Sequence, residues 1–134
     1  MSTLEALADA IMHWEGWRIG SRSYRNRNPG NLRDSPYKSG LDAEKYAVFH
    51  SLAAGYDALT SDLRGKMTGH TQTLLNGEST LRDLLNTYAP AGDHNDPSAY
   101  TSFVCHWLTQ VFGRRFTPAT RLSELVGPPE SGSQ

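Results

Sequence analysis

The sequence predicts a mostly α-helical domain, of the α+β class, with a small irregular, β-containing insertion after the first helix. Three observations predict it. Apolar residues recur at helical spacing in four separate segments. Helix start and stop residues frame those segments. Between the first two lies a stretch, residues 21–49, rich in Gly, Pro, Asn and Ser and without helical period.

The first helix is read in "STLEALADAIMHWEG". Ser2 and Glu5 have the capping-box spacing. Leu4, Leu7, Ala8, Ile11 and Met12 form one stripe, and one more turn of that stripe reaches Glu15. Gly16 is placed to adopt the left-handed conformation that stops a helix. Glu15 is therefore expected at the C-terminal end of the helix, on its buried face. The long loop that follows is expected to carry short strands around residues 31–33 and 46–49. Loops of this length in compact domains are usually functional or disordered. Its aromatic and Asn content favours function.

A second helix is read in "SLAAGYDALTSDLRGKM", with Ser51 as N-cap and Leu52, Tyr56, Leu59 and Leu63 as its stripe. The polar stretch "TGHTQTLLNGES" is expected to continue partly as helix. "STLRDLLNTYAP" gives a third helix, capped by Thr80, with Leu81, Leu84, Leu85 and Tyr88 facing inward and Pro90 as the stop. After the loop "AGDHND", Asp96 caps a fourth helix with Pro97 at its first position. Its stripe is Tyr100, Phe103, Val104, Trp107, Leu108 and Val111, and it ends at Gly113. "TPATRLSEL" is read as a last short turn. Residues 1–127 form a single domain in this reading, and 128–134 a flexible tail.

Composition narrows the function classes. The chain has 134 residues, 37% hydrophobic and 20% charged, as expected of an ordinary globular domain rather than a disordered one. Its formal net charge of −1 argues against nucleic-acid binding driven by bulk charge. Arg18, Arg22, Arg25, Arg27 and Arg33 nonetheless crowd one stretch. The one cysteine, Cys105, cannot form an internal disulfide and reads as a small buried hydrophobe. No apolar run is long enough for a membrane span. The N-terminus lacks the features of a cleavable signal, so the expectation is a protein made in the cytoplasm.

Glu15 carries the sharpest chemical signal. Desolvation on an apolar face, the negative end of the helix dipole, and a dry wall from Trp14 and Trp17 would each hold a proton on it. A general acid needs that property, and glycoside hydrolysis is its best-known use. The alternative is a solvated helix-end glutamate, or one paired with Arg18 or Arg22. "NRNPGNLR" is the second signal: Pro29 and Gly30 impose a turn flanked by the amides of Asn28 and Asn31. Such a loop can bind sugar hydroxyls and N-acetyl groups, or simply satisfy its own backbone as an Asx-turn. "YAPAGDHNDPSAY" is the third; its Asp93, His94, Asn95 and Asp96 lack a metal-ligand spacing, and Tyr88 is either a cleft-facing polar group or a core residue. No metal and no cofactor is expected. The five histidines form no arrangement that order alone identifies.

Taken in order, "EGW", "NRNPGNLR", "YAVFHSLAAGYDAL" and "TLRDLLNTYAPAGDHNDPSAY" resemble the lysozyme-like superfamily, over roughly residues 8 to 110. The likeness is to its small phage and prophage members, lytic transglycosylases and muramidases. The resemblance implies a lysozyme-like helical domain with a cleft between two lobes and one essential acid at the end of the first long helix, which is Glu15 here. It implies cleavage of the peptidoglycan bond between N-acetylmuramic acid and N-acetylglucosamine. Asn28, Asn31, Tyr88, Trp17 and Arg33 would then meet saccharide or orient the acid. The implied partners are glycan strands, together with a virion, secretion-system or inhibitor protein. The implied site of action is the cell wall, reached by phage lysis, virion delivery or non-standard secretion. A lysozyme would keep a second carboxylate in the insertion; Asp34, Asp42 and Glu44 lie there, and nothing in the sequence singles one out. A transglycosylase needs only one. The alternatives are a virion structural or wall-binding protein on the same fold without activity, and, more distantly, a helical DNA-associated domain using the arginines.

Overall fold

The computed structural model describes residues 2–71, 73–89 and 96–126. Among these, the chain is mostly helical: α1 (Thr3–Trp14), α2 (Arg22–Arg25), α3 (Leu52–Thr68), α4 (Leu81–Tyr88), α5 (Pro97–Phe112) and α6 (Ser123–Val126). Two short strands, β1 (Gly40–Leu41) and β2 (Ala47–Val48), pair antiparallel with Gly40 opposite Val48 and Leu41 opposite Ala47. The mostly helical class read from the sequence is therefore what the chain adopts. Contacts divide it into two compact units, Leu7–Leu63 and the pair Met1–Ala6 with Arg64–Gln134, so the boundaries fall inside α1 and α3.

In the unit Leu7–Leu63 the core is built from Leu7, Ala8, Ala10 and Ile11 of α1, Leu32, Ala47, Phe49, and Ala58, Leu59 and Leu63 of α3, all buried. The Tyr56 hydroxyl donates to Asp9 Oδ1 at 3.0 Å and ties α3 to α1. Ser51 caps α3 as its sequence predicts, its Oγ accepting from the Ala54 N–H at 3.1 Å. Leu52 does not belong to the buried stripe; it is 42% exposed, because Gly55 and Ala58 bring the helix in on a neighbouring face.

The insertion departs from expectation in two places. The strand expected at 31–33 does not form. Asn31 takes a left-handed φ of 50°, which breaks extended backbone. Leu32 then gives its carbonyl to the Ala47 N–H (3.0 Å) but its own N–H to Asn28 Oδ1 (2.9 Å), so no ladder propagates. The partner of residues 47–48 is instead 40–41. A short helical turn, α2, also appears where none was expected. Ser21 nucleates it, its Oγ accepting from the Tyr24 N–H at 3.2 Å.

In the second unit the Ser2–Glu5 capping box forms: Ser2 N–H donates to Glu5 Oε1 (2.9 Å) and Glu5 N–H to Ser2 Oγ (3.0 Å). Thr80 and Asp83 make the same reciprocal box at α4. Asp96 caps α5 by accepting from the Ala99 N–H at 3.0 Å, Pro97 opens the helix, and it ends at Gly113. Leu81, Leu84 and Leu85 of α4 and Tyr100, Val104, Cys105 and Leu108 of α5 are buried. Phe103 and Trp107 are half-buried. Val111, expected on the stripe, is 45% exposed near the helix end. Among the described residues the stretch after Thr68 does not continue as helix; within it Thr71 and Thr73 hydroxyls bond one another at 2.7 Å. The expected last turn is α6. The segment before it is laced to the start of α4 by Leu81 N–H to Thr120 O (2.9 Å) and Leu122 N–H to Ser79 O (2.8 Å). The loop residues Asp93, His94 and Asn95, the stop at Pro90 and the tail 128–134 lie outside the described residues.

Candidate functional site

Glu15 is the residue at which α1 stops. The Gly16 N–H donates to His13 O (3.1 Å) and the Trp17 N–H to Met12 O (3.2 Å), with Gly16 at φ 79°. That is the Schellman arrangement, in which a left-handed glycine reverses the chain and satisfies the last carbonyls. Glu15 therefore sits at the carbonyl end of the helix, where the dipole disfavours a negative charge. It is half-buried rather than fully enclosed, as are Trp14 and Trp17. Its Oε1 faces Asn31 Nδ2 at 3.5 Å, the long end of hydrogen-bond range. Asn31 Oδ1 is buried with no hydrogen-bond partner among the described residues. A carboxyl group and an amide thus face one another across the turn that Pro29 and Gly30 make.

Asn28 does something different. It is completely buried, and its amide serves backbone alone: Nδ2 donates to Leu32 O and Ala47 O, both at 2.9 Å, while Oδ1 accepts from Leu32 N–H. The Asn28 side chain thus satisfies the backbone of its own turn. Its effect on the site is indirect, because it fixes the turn that presents Asn31. The same turn is held from the other side by α3. A Cβ on Gly55 would fall 1.9 Å from Arg27 O and 2.9 Å from Pro29 Cδ, so only glycine lets the helix approach so closely.

Four of the five clustered arginines divide into two pairs. Arg22 and Arg33 each place a guanidinium 4.1 Å from the ring centroid of Tyr46, with Arg22 also paired to Glu44. Arg33 is thus engaged with the β2 end of the insertion. Arg25 and Arg27 instead line a cavity of about 600 Å³ together with Trp17, Gly20, Tyr24 and Leu52. Trp17 and Tyr24 meet there at 5.2 Å between ring centroids, tilted by 54°. Glu15 and Asn31 are not among the residues that line this space.

The carboxylates of the insertion all have partners. Asp42 accepts from Asn26 Nδ2, Tyr46 N–H and Glu44 N–H, each at 2.9 Å. The Asn26 amide first, and these backbone donors with it, hold its pKa below the usual carboxylate range. Asp34 is lowered by its contact with Lys38, at 2.7 Å. Glu44 bonds Arg22 at 2.5 Å.

Tyr88 belongs to the other unit, where its ring lies edge-on to Tyr100 (6.4 Å) with Lys66 Nζ 5.3 Å above it. Cys105 is buried, and burial pushes its thiol up to about 11. Among the described residues no group of three or more His, Cys, Asp or Glu is placed to hold a metal, and no helix is long and apolar enough to cross a membrane.

The position of Glu15 at the end of α1 and the turn at Pro29 and Gly30 are as the sequence leads one to expect. Sequence reasoning missed the Trp17–Tyr24 cavity, although Ser21 three residues before Tyr24 was a readable cap signal. It also missed the role of Gly55, for which a lone glycine inside a helical pattern was the available hint. No protein-family model, no curated protein and no solved structure matches this chain.

Proposed function

We propose that this chain is a lysozyme-like, peptidoglycan-cleaving glycosidase in which Glu15 is the general acid and base. The observation that carries the reading is the position of Glu15: half-buried, at the carbonyl end of α1 beyond a Schellman cap, facing the Asn31 amide. Partial burial and the negative end of the helix dipole each disfavour the charged form of such a carboxyl. A proton held there can be passed to a glycosidic oxygen as its bond to the anomeric carbon breaks. Asn31 is the positioning residue, and Asn28 keeps its turn in place.

The partners of Asp34, Asp42 and Glu44 favour a reaction that uses one carboxylate. Each of the three is engaged within the insertion, and two are stabilised as anions by those contacts. With Glu15 alone, the acid protonates the leaving oxygen. The resulting carboxylate takes the proton from the 6-hydroxyl of the same muramoyl residue. That oxygen attacks the anomeric carbon, closing a 1,6-anhydro ring. The substrate is the glycan strand of the cell wall, and the chemistry calls on no metal or cofactor.

Clearing of purified peptidoglycan by wild type and by Glu15→Gln tests the assignment. The variant keeps the shape and loses the proton, so clearing is expected to fall about 10²–10⁴-fold. Equal clearing by the two proteins would remove Glu15 from the chemistry.

A further inference from the structure

An asparagine side chain is open to attack by its own backbone. The nitrogen of the next residue adds to the side-chain carbonyl carbon and closes a cyclic imide. The reaction needs a small following residue, an N–H outside any hydrogen bond, and an amide carbon held close to it. Four of the five described asparagines fail these conditions. Asn26 is buried with its amide on Asp42, and the Arg27 N–H after it donates to Tyr24 O at 3.1 Å. Asn28 precedes Pro29, which has no N–H. After Asn31, the Leu32 N–H is held by Asn28 Oδ1 at 2.9 Å. Asn86 lies inside α4, where the helix ladder takes the Thr87 N–H.

Asn76 meets all three. It is exposed, and Gly77 follows it. Among the described residues no hydrogen bond engages the Gly77 N–H. The turn also fixes the amide. The Ser79 N–H donates to Asn76 O at 3.0 Å, and Ser79 Oγ accepts from the Asn76 N–H at 3.1 Å. The Glu78 N–H donates to Asn76 Oδ1 at 2.8 Å. This Asx-turn bond bends the side chain forward along the chain, over the Gly77 nitrogen. It also aims a fixed donor at the oxygen on which negative charge develops when the carbon is attacked, the part an oxyanion hole plays.

We propose that Asn76–Gly77 is a self-modification site, at which the folded turn promotes conversion of the asparagine to a succinimide and then to aspartyl and isoaspartyl residues. The Gly77 nitrogen gives up its proton and bonds to Asn76 Cγ. The Cγ–Nδ2 bond breaks, and Nδ2 leaves as ammonia with that proton. Water then opens the ring. Addition at Cγ leaves an aspartate in an unaltered main chain. Addition at the main-chain carbonyl carbon of residue 76 leaves an isoaspartate, with the chain rerouted through Cγ and one carbon longer. Water is the only co-reactant, and the assignment is independent of the chemistry of Glu15. The change falls on a packed edge. The Gly77 carbonyl accepts from the Ser123 N–H at 3.0 Å, and the Ser79 carbonyl from the Leu122 N–H at 2.8 Å. A Cβ on Gly77 would already stand 3.3 Å from Ser123 Cβ. An extra main-chain carbon at residue 76 therefore shifts the turn against the start of α6 and loosens it.

The test is ageing of the full wild-type chain in mildly alkaline buffer, once folded and once unfolded in guanidinium. Peptide mapping by mass spectrometry, with fragmentation that separates isoaspartate from aspartate, follows each asparagine. The folded chain is expected to convert residue 76 before any other asparagine, and at least as fast as the unfolded chain. In the isoaspartyl form, separated by ion exchange, hydrogen exchange at the Leu122 and Ser123 amides should quicken about fivefold or more, the loss of one ordinary hydrogen bond. Gly77→Ala should suppress conversion, but its Cβ crowds Ser123. Asn76→Gln is therefore the second variant: it leaves the main chain alone and requires a larger ring to close, so no acid should form at residue 76. A folded wild-type chain whose residue 76 stays an amide, or converts more slowly than in guanidinium, overturns the proposal. So does conversion of Asn76→Gln at the wild-type rate, and unchanged exchange at Leu122 and Ser123 overturns the assigned effect on α6.

Discussion

Replacing Gly55 with alanine sets two effects of opposite sign against each other. In a free helix interior the change favours folding by about 1 kcal/mol, because glycine loses more backbone entropy. Here the new Cβ would stand 1.9 Å from Arg27 O, about 1.5 Å inside the distance where ordinary contact begins, and 2.9 Å from Pro29 Cδ. Neither neighbour is the end of a flexible side chain. Either α3 or the 27–31 turn must move. Overpacking of this kind costs about 1–3 kcal/mol, and more if the Asn28 hydrogen bonds break as the turn shifts. The steric term wins, so Gly55→Ala is expected to lower stability by about 1–3 kcal/mol and the melting temperature by about 3–12 °C. Urea unfolding followed by circular dichroism measures it, with Gly40→Ala, where a Cβ meets nothing within 4 Å, as the matched control. Because the displaced turn carries Asn31, the proposed glycosidase activity would have wall clearing fall as well at temperatures where the variant is folded. A Gly55→Ala protein as stable as wild type, or more so, would refute the close approach of helix and turn.

Three further outcomes follow from the same geometry. Asn28→Ala removes the only described side-chain partner of Leu32 N–H, Leu32 O and Ala47 O at a completely buried position, and unfolding in urea should register a loss of about 3 kcal/mol or more; a loss below about 1 kcal/mol would mean that the turn holds without it. Asp42 has a depressed folded pKa, so its contribution is present above the unfolded carboxylate value of about 3.9 and lost as pH falls through the lower folded value. The amide NMR signals of Glu44 and Tyr46 should therefore titrate with a midpoint below about 3.9, and a midpoint at or above it would contradict the assigned bonds. Cys105, buried and shifted up to about 11, should react with a disulfide reagent at neutral pH only after unfolding in guanidinium; prompt labelling of the native protein would be inconsistent with its burial.

What was legible in the sequence was whatever local chemistry decides. The caps Ser2, Ser51, Thr80 and Asp96 and the stop at Gly16 were readable because each acts on backbone within four residues of itself. The strand expected at 31–33 failed for the converse reason. Leu32 is a lone aliphatic residue among turn and polar residues that permit extended backbone, but the left-handed Asn31 and the buried Asn28 amide divert its hydrogen bonds. That diversion depends on Ala47, fifteen residues away, and no period encodes it. The site divides along the same line. The place of Glu15 at the end of α1 follows from helix period alone, whereas the Arg25–Arg27 cavity needs Trp17, Tyr24 and Leu52 brought together from three segments. Likewise, five clustered arginines looked like one feature, and only the fold separates the pair stacked on Tyr46 from the pair that lines the cavity.

The central claim is that Glu15 delivers and recovers the proton of a glycosidic cleavage. Mass spectrometry of the fragments released from purified peptidoglycan, by wild type and by Glu15→Gln, tests it most directly. The account predicts muropeptides with 1,6-anhydro ends from the wild-type protein and release reduced by about 10²–10⁴-fold from the variant. Fragments released equally by both proteins, or no fragments from the folded wild type, would contradict it.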